Sequence, residues 1–552
     1  MNTIEALTRD AVEHETASYD YIVVGAGSAG SVVASRLAAA EPAATVLLIE
    51  AGSDGRGVAQ IVDPPQWTKL DGTALDWGYR YTPSDRVAGR AIPVPRGKVL
   101  GGCSATNAMQ WFRGHCADYD AWEAAGASGW NYATLLPYFR RSEDWEGGQT
   151  AQRGGSGPMR VTRPRDPHPI ASAMIAGAAE LGLAKLDDPN SGDTDGVTLA
   201  NLNIAEGRRF SVVDGYLPAW APPPAPGQVP VGAHTHAPDP PANLTVRTGS
   251  TALRLGFAPG PAGTRCDSVF HAVRGTVRRT RARVGVILAL GAFGTPELLV
   301  RSGIGDPAVL RGLGVDVTAP LPGVGRNLQD HPLLMGMNFR AKDRLGLPRD
   351  NGGGALMNWR SSRASRPDLH AFVVQGRHAY RDSTARYGLV GDPNVFAISP
   401  GLMGSASKGS LTVRDATKTG PAAVEIESGF LTDRADLDAL LEAVDMIMDL
   451  AATSAYADLI DKPLMPATRL SRADREAFVR ENCATFNHAC GTAAMGAGPD
   501  AVVDPALRVI GIDGLRVADA SVIPVIPTGT TQAAVIAIAE RAADLLLAEA
   551  RA

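Results

Sequence analysis

Tyr19 to Val24 (YDYIVV) is a β-rich run that meets Gly25, Gly27 and Gly30 in the order GAGSAG, and the next segment, SVVASRLAAA, has the small and apolar spacing of a helix. The pattern predicts strand, tight turn, helix. A second apolar run, Thr45 to Ile49 (TVLLI), ends in Glu50, twenty residues after Gly30, which completes a compact βαβ unit. In such a unit Gly25 permits the turn and Gly27 lets the backbone approach a pyrophosphate. Gly30 lets helix and strand pack closely, and Glu50 accepts from ribose hydroxyls.

Further along, residues 219–243 are dense in Pro and Gly and predict a long exposed loop. Asn243 to Leu255 is strand-rich, and Val284 to Leu290 (VGVILAL) predicts a buried strand running into Gly291. Between about 333 and 480, short β-like runs such as Gly409 to Val413 mix with an amphipathic helix near Leu437 to Leu450, which predicts a separate mixed α/β layer. No internal repeat is visible.

A length of 552 residues implies two or more packed units, and 45% hydrophobic with 20% charged residues is an average globular composition. Lys plus Arg number 53 and Asp plus Glu 58, a net charge of −5, so no basic excess points to nucleic acid. The five cysteines (Cys103, Cys116, Cys266, Cys483, Cys490) are odd in number and lack CxxC spacing, so neither a disulfide framework nor a metal site is expected. A reducing, cytoplasmic setting fits best. The first eighteen residues have no apolar core of a secretory signal and predict a polar tail ahead of the first strand. No run of 18 apolar residues exists, so no membrane span is expected, and the C-terminal AAVIAIAERAADLLLAEA predicts a soluble helix.

Four blocks in the chain resemble the glucose-methanol-choline flavoprotein oxidoreductases, over Tyr19 to about Leu547. The first is GAGSAG with Glu50-Ala51-Gly52. The second runs from Pro95 through Gly101, Gly102, Cys103 and Ser104 to Asn107, followed by Phe112-Arg-Gly-His and Asp118-Tyr-Asp-Ala-Trp122. The third is Gly291 to Gly305, leading to Gly323 and Asp330-His331-Pro332. The fourth holds Asn487-His488, Gly491-Thr, Val503-Asp504-Pro, Asp519-Ala520-Ser521 and Pro527 to Gln532.

The resemblance implies an α/β fold in which an FAD-binding Rossmann-like domain (19–165, 244–330 and 486–552) is interleaved with a mixed α+β substrate-binding domain (166–243 and 331–485), an antiparallel sheet flanked by helices. It implies FAD contacts at Gly25, Gly27, Ser28, Ala29, Gly30, Glu50, Ala51, Gly101, Gly102, Ser104, Asn107, Ala108, Ala252, Asp519, Ala520, Thr531 and Gln532. Asp519 followed by Ala-Ser also reads as a helix cap. Three positions depart from the family pattern. Cys103 stands where a small hydroxyl residue or glycine is usual. Thr106 stands where an aliphatic residue is usual and where some members carry a histidine bonded to the flavin, so dissociable FAD is expected. Thr530 occupies the place of the second catalytic His or Asn.

Alcohol oxidation needs one group that takes the hydroxyl proton while a hydride leaves carbon for the flavin. His488 is the expected base, with Thr530 limited to one hydrogen bond to a substrate oxygen. His115, His331, His234 and His236 read as structural or surface residues, and Cys490 as a packing residue. Trp111, Phe486 and Asn487 are the expected substrate-pocket residues. The implied partners are a small alcohol and dioxygen or another electron acceptor. No GxSxG elbow supports a hydrolase, and a nicotinamide dehydrogenase would leave three blocks without a purpose. A hydroxynitrile-lyase-like protein using FAD structurally, and a non-catalytic flavin-binding protein, remain alternatives.

Overall fold

The computed structural model describes residues 12–220, 240–260 and 263–551. A five-stranded parallel sheet forms its first layer, in the order Leu244–Arg247, Val46–Ile49, Val12–Val24, Thr276–Leu288 and Leu515–Val517. Val46 to Ile49 are all buried, as expected of a parallel strand covered on both faces. The first strand begins at Val12, not at Tyr19, so part of the expected polar tail is sheet. Val12 to His14 pair with Val277 to Arg279 in the early half of Thr276–Leu288, and the register shifts before Ser18 and again before Tyr21. Main-chain hydrogen bonds make this ladder, which is why an apolar pattern did not announce it.

The helix Ser28–Ala40 follows the glycine turn and packs against the C-terminal helix Thr531–Ala550. Small residues make that contact close, and a buried carboxylate pins it. Glu540, fully buried, binds Arg36 at 2.7 Å and Arg141 at 2.8 Å and accepts from the Tyr216 hydroxyl at 2.6 Å. The strand-rich stretch after Asn243 continues as an antiparallel meander of Ser250–Gly260, Gly263–Val273 and Thr276–Leu288.

The second layer is an antiparallel sheet in the order Ile460–Met465, Asn338–Ala341, Val395–Leu402, Leu369–Val374, Ala355–Trp359 and Gly196–Leu199. Pro332–Leu334 and Cys483–Thr485 pair with each other and join it through Leu333 opposite Gly401. The helix expected near 437–450 spans Arg434–Ala451 and packs on Val395–Leu402. The run at 409–413 is a strand, Ser410–Val413, paired with Val424–Glu427. Of the expected proline-rich loop, 221–239 lie outside the described residues, as do His234 and His236. One apolar core is continuous across both layers. Among the described residues, no helix is long and apolar enough to cross a membrane.

Candidate active site

The glycine turn works as a backbone contact. Gly25 has φ +98° and donates its N–H to Ile49 O at 2.8 Å, closing the turn at the end of the first strand. A Cβ on Gly30 would lie 1.8 Å from Gly25 O, so Gly30 packs helix on turn and does not face the cavity. Gly101 donates to Ala26 O at 2.8 Å, and a Cβ on Gly102 would sit 2.7 Å from Gly27 Cα. The first two motif blocks therefore touch backbone to backbone.

A cavity of about 910 Å³ opens along this seam. Gly25, Gly27, Ser28, Ala29, Glu50 and Ala51 line one part, and Gly102, Asn107, Ala108 and Ala252 another. Asp519, Ala520, Thr530, Thr531 and Gln532 line it from the last block, together with Phe486, Asn487 and His488. Residues up to 511 positions apart, Val24 and Val535, thus converge on one space, long enough to be lined by four separate glycine or helix-start segments. A Cβ on Gly27 would meet nothing nearer than Gly102 Cα at 3.9 Å. That cradle at a helix N-terminus, with Glu50 beside it, fits a dinucleotide.

Four expected contacts are otherwise engaged. Gly101 shapes the loop from outside the cavity lining. Ser104 Oγ donates to Gly101 O at 2.7 Å and accepts from Val212 N at 3.3 Å, so it braces the loop. Asp519 lines the cavity, but its carboxylate accepts from Gly291 N, Thr295 Oγ1 and Ser521 N at 2.9, 2.6 and 2.8 Å; it caps two helix starts. Trp111 does not reach the cavity. It is fully buried, and its indole N–H donates to Glu143 Oε2 at 2.9 Å beside the ion pairs of Glu143 with Arg113 and Arg153. Expecting it in the pocket was wrong because a neighbouring carboxylate draws the indole inward.

Glu50 is 6% exposed and accepts from Ala26 N at 3.0 Å and Gly52 N at 2.8 Å. Burial pushes its carboxyl up to about 7, against those two amides, that of Ala51 and the charge of Lys98. Asn107 hydrogen-bonds Gln532 and accepts from Arg209 at 2.8 Å, joining the second and fourth blocks.

His488 follows Asn487, whose φ of +65° turns the chain into the cavity. The buried carboxylate of Asp330 accepts from both His331 N and His488 N at 2.8 Å. Its other oxygen accepts from the Tyr81 and Thr485 hydroxyls, each at 2.5 Å. His488 stacks on Phe486 with centroids 5.6 Å apart and planes 10° from parallel. Burial, then the neighbouring His331, Arg96 and His370, hold His488 well below the ordinary imidazole range, so it is neutral. A neutral imidazole lining the cavity has a lone pair that can accept a proton. Thr530 lines the cavity, yet its hydroxyl donates to Phe112 O at 3.0 Å and accepts from Phe112 N at 3.3 Å. The backbone holds it.

His331 corrects another expectation. It is fully buried, its Nδ1 lies 2.9 Å from Nδ1 of His488, and burial takes it down to about 3. Asp330-His331 was visible in the third block, but its approach to His488 spans 157 positions. His370 and His378, also neutral through burial, and Phe372 were missed because no motif marks them. His115 caps the helix Cys116–Ala124, and Cys490 is buried with its thiol raised well above its usual value. All five cysteines are free. No cluster of His, Cys, Asp or Glu able to hold a metal occurs among the described residues.

The fold and site define an α/β dinucleotide-binding protein with a neutral histidine in its cavity. The family model for GMC oxidoreductase matches residues 19–222 and 237–333 in its N-terminal part and 405–539 in its C-terminal part. The chain belongs to the GMC oxidoreductase family. It is 32% identical to the oxygen-dependent choline dehydrogenase of Brucella ovis, over 96% of this chain and 95% of that one. An uncharacterized GMC-type oxidoreductase of Mycobacterium tuberculosis is 35% identical, over 96% and 99%. Among solved structures, pyridoxine 4-oxidase from Mesorbium loti superposes with a TM-score of 0.86 at 32% identity, covering 96% of this chain and 99% of that one. The Aspergillus oryzae formate oxidase variant R554A gives 0.85 at 26%, covering 98% and 100%.

Proposed function

We propose that the protein binds FAD non-covalently and oxidises a primary alcohol to an aldehyde, with His488 as the base. The observation that carries this reading is the convergence of the glycine cradle, Glu50 and a neutral, backbone-clamped His488 on one cavity. FAD supplies the two-electron acceptor for the substrate's hydride. The chain's own residues do the rest. Gly27, Ser28 and Ala29 offer the helix start to the pyrophosphate, Glu50 holds the adenosine ribose, and Asn107 with Gln532 orders the loop at the other end. Thr106 lines the cavity without a nucleophile that bonds a flavin, which supports release of FAD on denaturation.

Next to His488 most of the wall is aromatic or apolar, with Arg96 and His378 as polar members of the lining. Phe486 stacks on His488, Phe372 lies 5.8 Å from Phe486, Leu333 and Ala484 line the cavity from the adjoining paired strands, and Met335 lines it just past them. Such walls suit an aromatic or other apolar alcohol, whose hydroxyl is the one group seeking a polar partner. The names of similar proteins, choline dehydrogenase and pyridoxine 4-oxidase, support an alcohol substrate, and the oxidase names support dioxygen as acceptor. We assign 19–165, 244–330 and 486–552, which include the parallel sheet, to the FAD-binding domain, and 166–243 and 331–485, which include the antiparallel layer, to the substrate-binding domain. Five unpaired cysteines support a reducing compartment.

Anaerobic mixing of the purified holoenzyme with a panel of primary alcohols tests the reading. Aromatic alcohols are expected to bleach the flavin and yield aldehyde, and later addition of oxygen is expected to restore the colour. Cleavage of a cyanohydrin without bleaching by any alcohol would replace it with the lyase alternative.

A further inference from the structure

We propose that His331 is a positioning residue that fixes the proton of His488 on Nδ1 and so leaves Nε2 as the nitrogen that accepts the alcohol proton; this rests on the reading of His488 as base. The two Nδ1 atoms are 2.9 Å apart. A hydrogen bond between two neutral imidazoles holds one proton, so one ring donates and the other accepts.

The reading of His488 as base decides which. If His331 donated from Nδ1, His488 would carry its own proton on Nε2 and would have no lone pair for an alcohol proton. His488 acting as base therefore requires Nδ1 of His331 to be the lone pair that receives the Nδ1–H of His488, with the proton of His331 on Nε2. That Nε2 is buried, and the backbone carbonyls of Met403 and Pro527 near the ring favour a proton on it. A neutral His488 with its proton on Nδ1 has its lone pair on Nε2, the nitrogen left for the cavity that His488 lines.

The clamp around the pair is rigid. Asp330 holds both backbone amides through one oxygen, and Phe486 N donates to His331 O at 3.1 Å. The rings meet edge to face, with planes 86° apart. During turnover the alcohol O–H bond breaks and its proton forms a new N–H at Nε2. Bound FAD would supply the acceptor for the C–H electron pair, which balances the step. His488 becomes imidazolium, and its Nδ1–H bond to His331 becomes charge-assisted. His331 therefore binds the protonated state of the base more tightly than the resting state, which lowers the barrier and not merely the substrate's dissociation constant.

The test compares the limiting rate of anaerobic flavin reduction in wild type, His331→Leu, His331→Asn and His488→Ala. His331→Leu removes the acceptor and is expected to slow reduction by about 10- to 100-fold, the range of one hydrogen bond to a charged group, with little change in alcohol dissociation constant. His331→Asn returns a carbonyl oxygen near the Nδ1 position and is expected to recover most of that loss. Wild-type rates in His331→Leu, or equal losses in the Leu and Asn variants at matched flavin content, overturn the proposal. If His488→Ala also reduces at the wild-type rate, the assignment of the base itself has failed. Independently of any variant, ¹⁵N-histidine NMR of the wild-type holoenzyme is expected to show His488 as the Nδ1–H tautomer and His331 as the Nε2–H tautomer. The reverse pair overturns the proposal.

Discussion

On the proposed contact of Glu50 with the adenosine ribose, FAD affinity depends on pH. In the flavin-free protein, burial holds its carboxyl at about 7. Ribose hydroxyls donate hydrogen bonds and so favour the carboxylate, which means that FAD binds the ionised form and drives a proton off. Affinity is therefore full above pH 7 and is lost as pH falls through 7. For a group at about 7, linkage multiplies the apparent Kd by about tenfold at pH 6 and about thirtyfold at pH 5.5 relative to pH 8, roughly 1.4 kcal/mol per pH unit. Fluorescence quenching of FAD by apoprotein, titrated at each pH and constant ionic strength, reads this slope. Glu50→Gln keeps the shape of the side chain, cannot ionise, and is expected to bind FAD more weakly at pH 8 with a flat profile below it. A wild-type Kd that does not change between pH 8 and 5.5, or a Glu50→Gln variant with the wild-type slope, would refute the reasoning.

Gly27→Ala is expected to fold normally, because its Cβ meets only Gly102 Cα at 3.9 Å, and to lose FAD affinity by filling the cradle; Gly30→Ala, with a Cβ 1.8 Å from Gly25 O, is expected to fail at the folding step, as circular dichroism and soluble yield will show. Thr530→Ala is expected to slow flavin reduction by tenfold or less, the cost of about 0.5–1.5 kcal/mol for one neutral hydrogen bond, since its hydroxyl already serves Phe112; a loss as large as that of a missing base would contradict this. Glu540→Ala is expected to cost about 3 kcal/mol in urea unfolding, the low end for a broken buried pair, because Arg36 and Arg141 are about one-third exposed and regain water; unchanged stability would show that the two helices do not need this clamp.

What the chain disclosed in advance follows the range of the interactions. The βαβ unit was readable because its turn demands glycines at fixed offsets, and His488 because it stands in a motif. Side-chain direction was not readable. Trp111 lies one residue from Gln110, which lines the cavity, yet it turns into the core towards Glu143, thirty-two positions away. The Thr530 hydroxyl was assigned to substrate, but Phe112, 418 positions earlier, takes it. Asp519 was read both as a cofactor contact and as a cap, and its carboxylate serves as the cap. The early start at Val12 escaped notice because a polar stretch joined a ladder through its main chain. His331 is the most instructive case: its residue type was in plain view, while its role depends on a contact made only when two distant loops share the Asp330 carboxylate.

Single-turnover reduction of the bound flavin by an aromatic primary alcohol, without oxygen, in wild type and His488→Ala at equal flavin content, tests the central claim most directly. The account predicts alcohol-dependent bleaching in the wild type with one aldehyde formed per flavin, and a rate lower by about 10²-fold or more in His488→Ala, as expected for loss of a general base. Equal rates in the two proteins would contradict the role of His488, and no bleaching of wild type by any primary alcohol would contradict the alcohol oxidation itself.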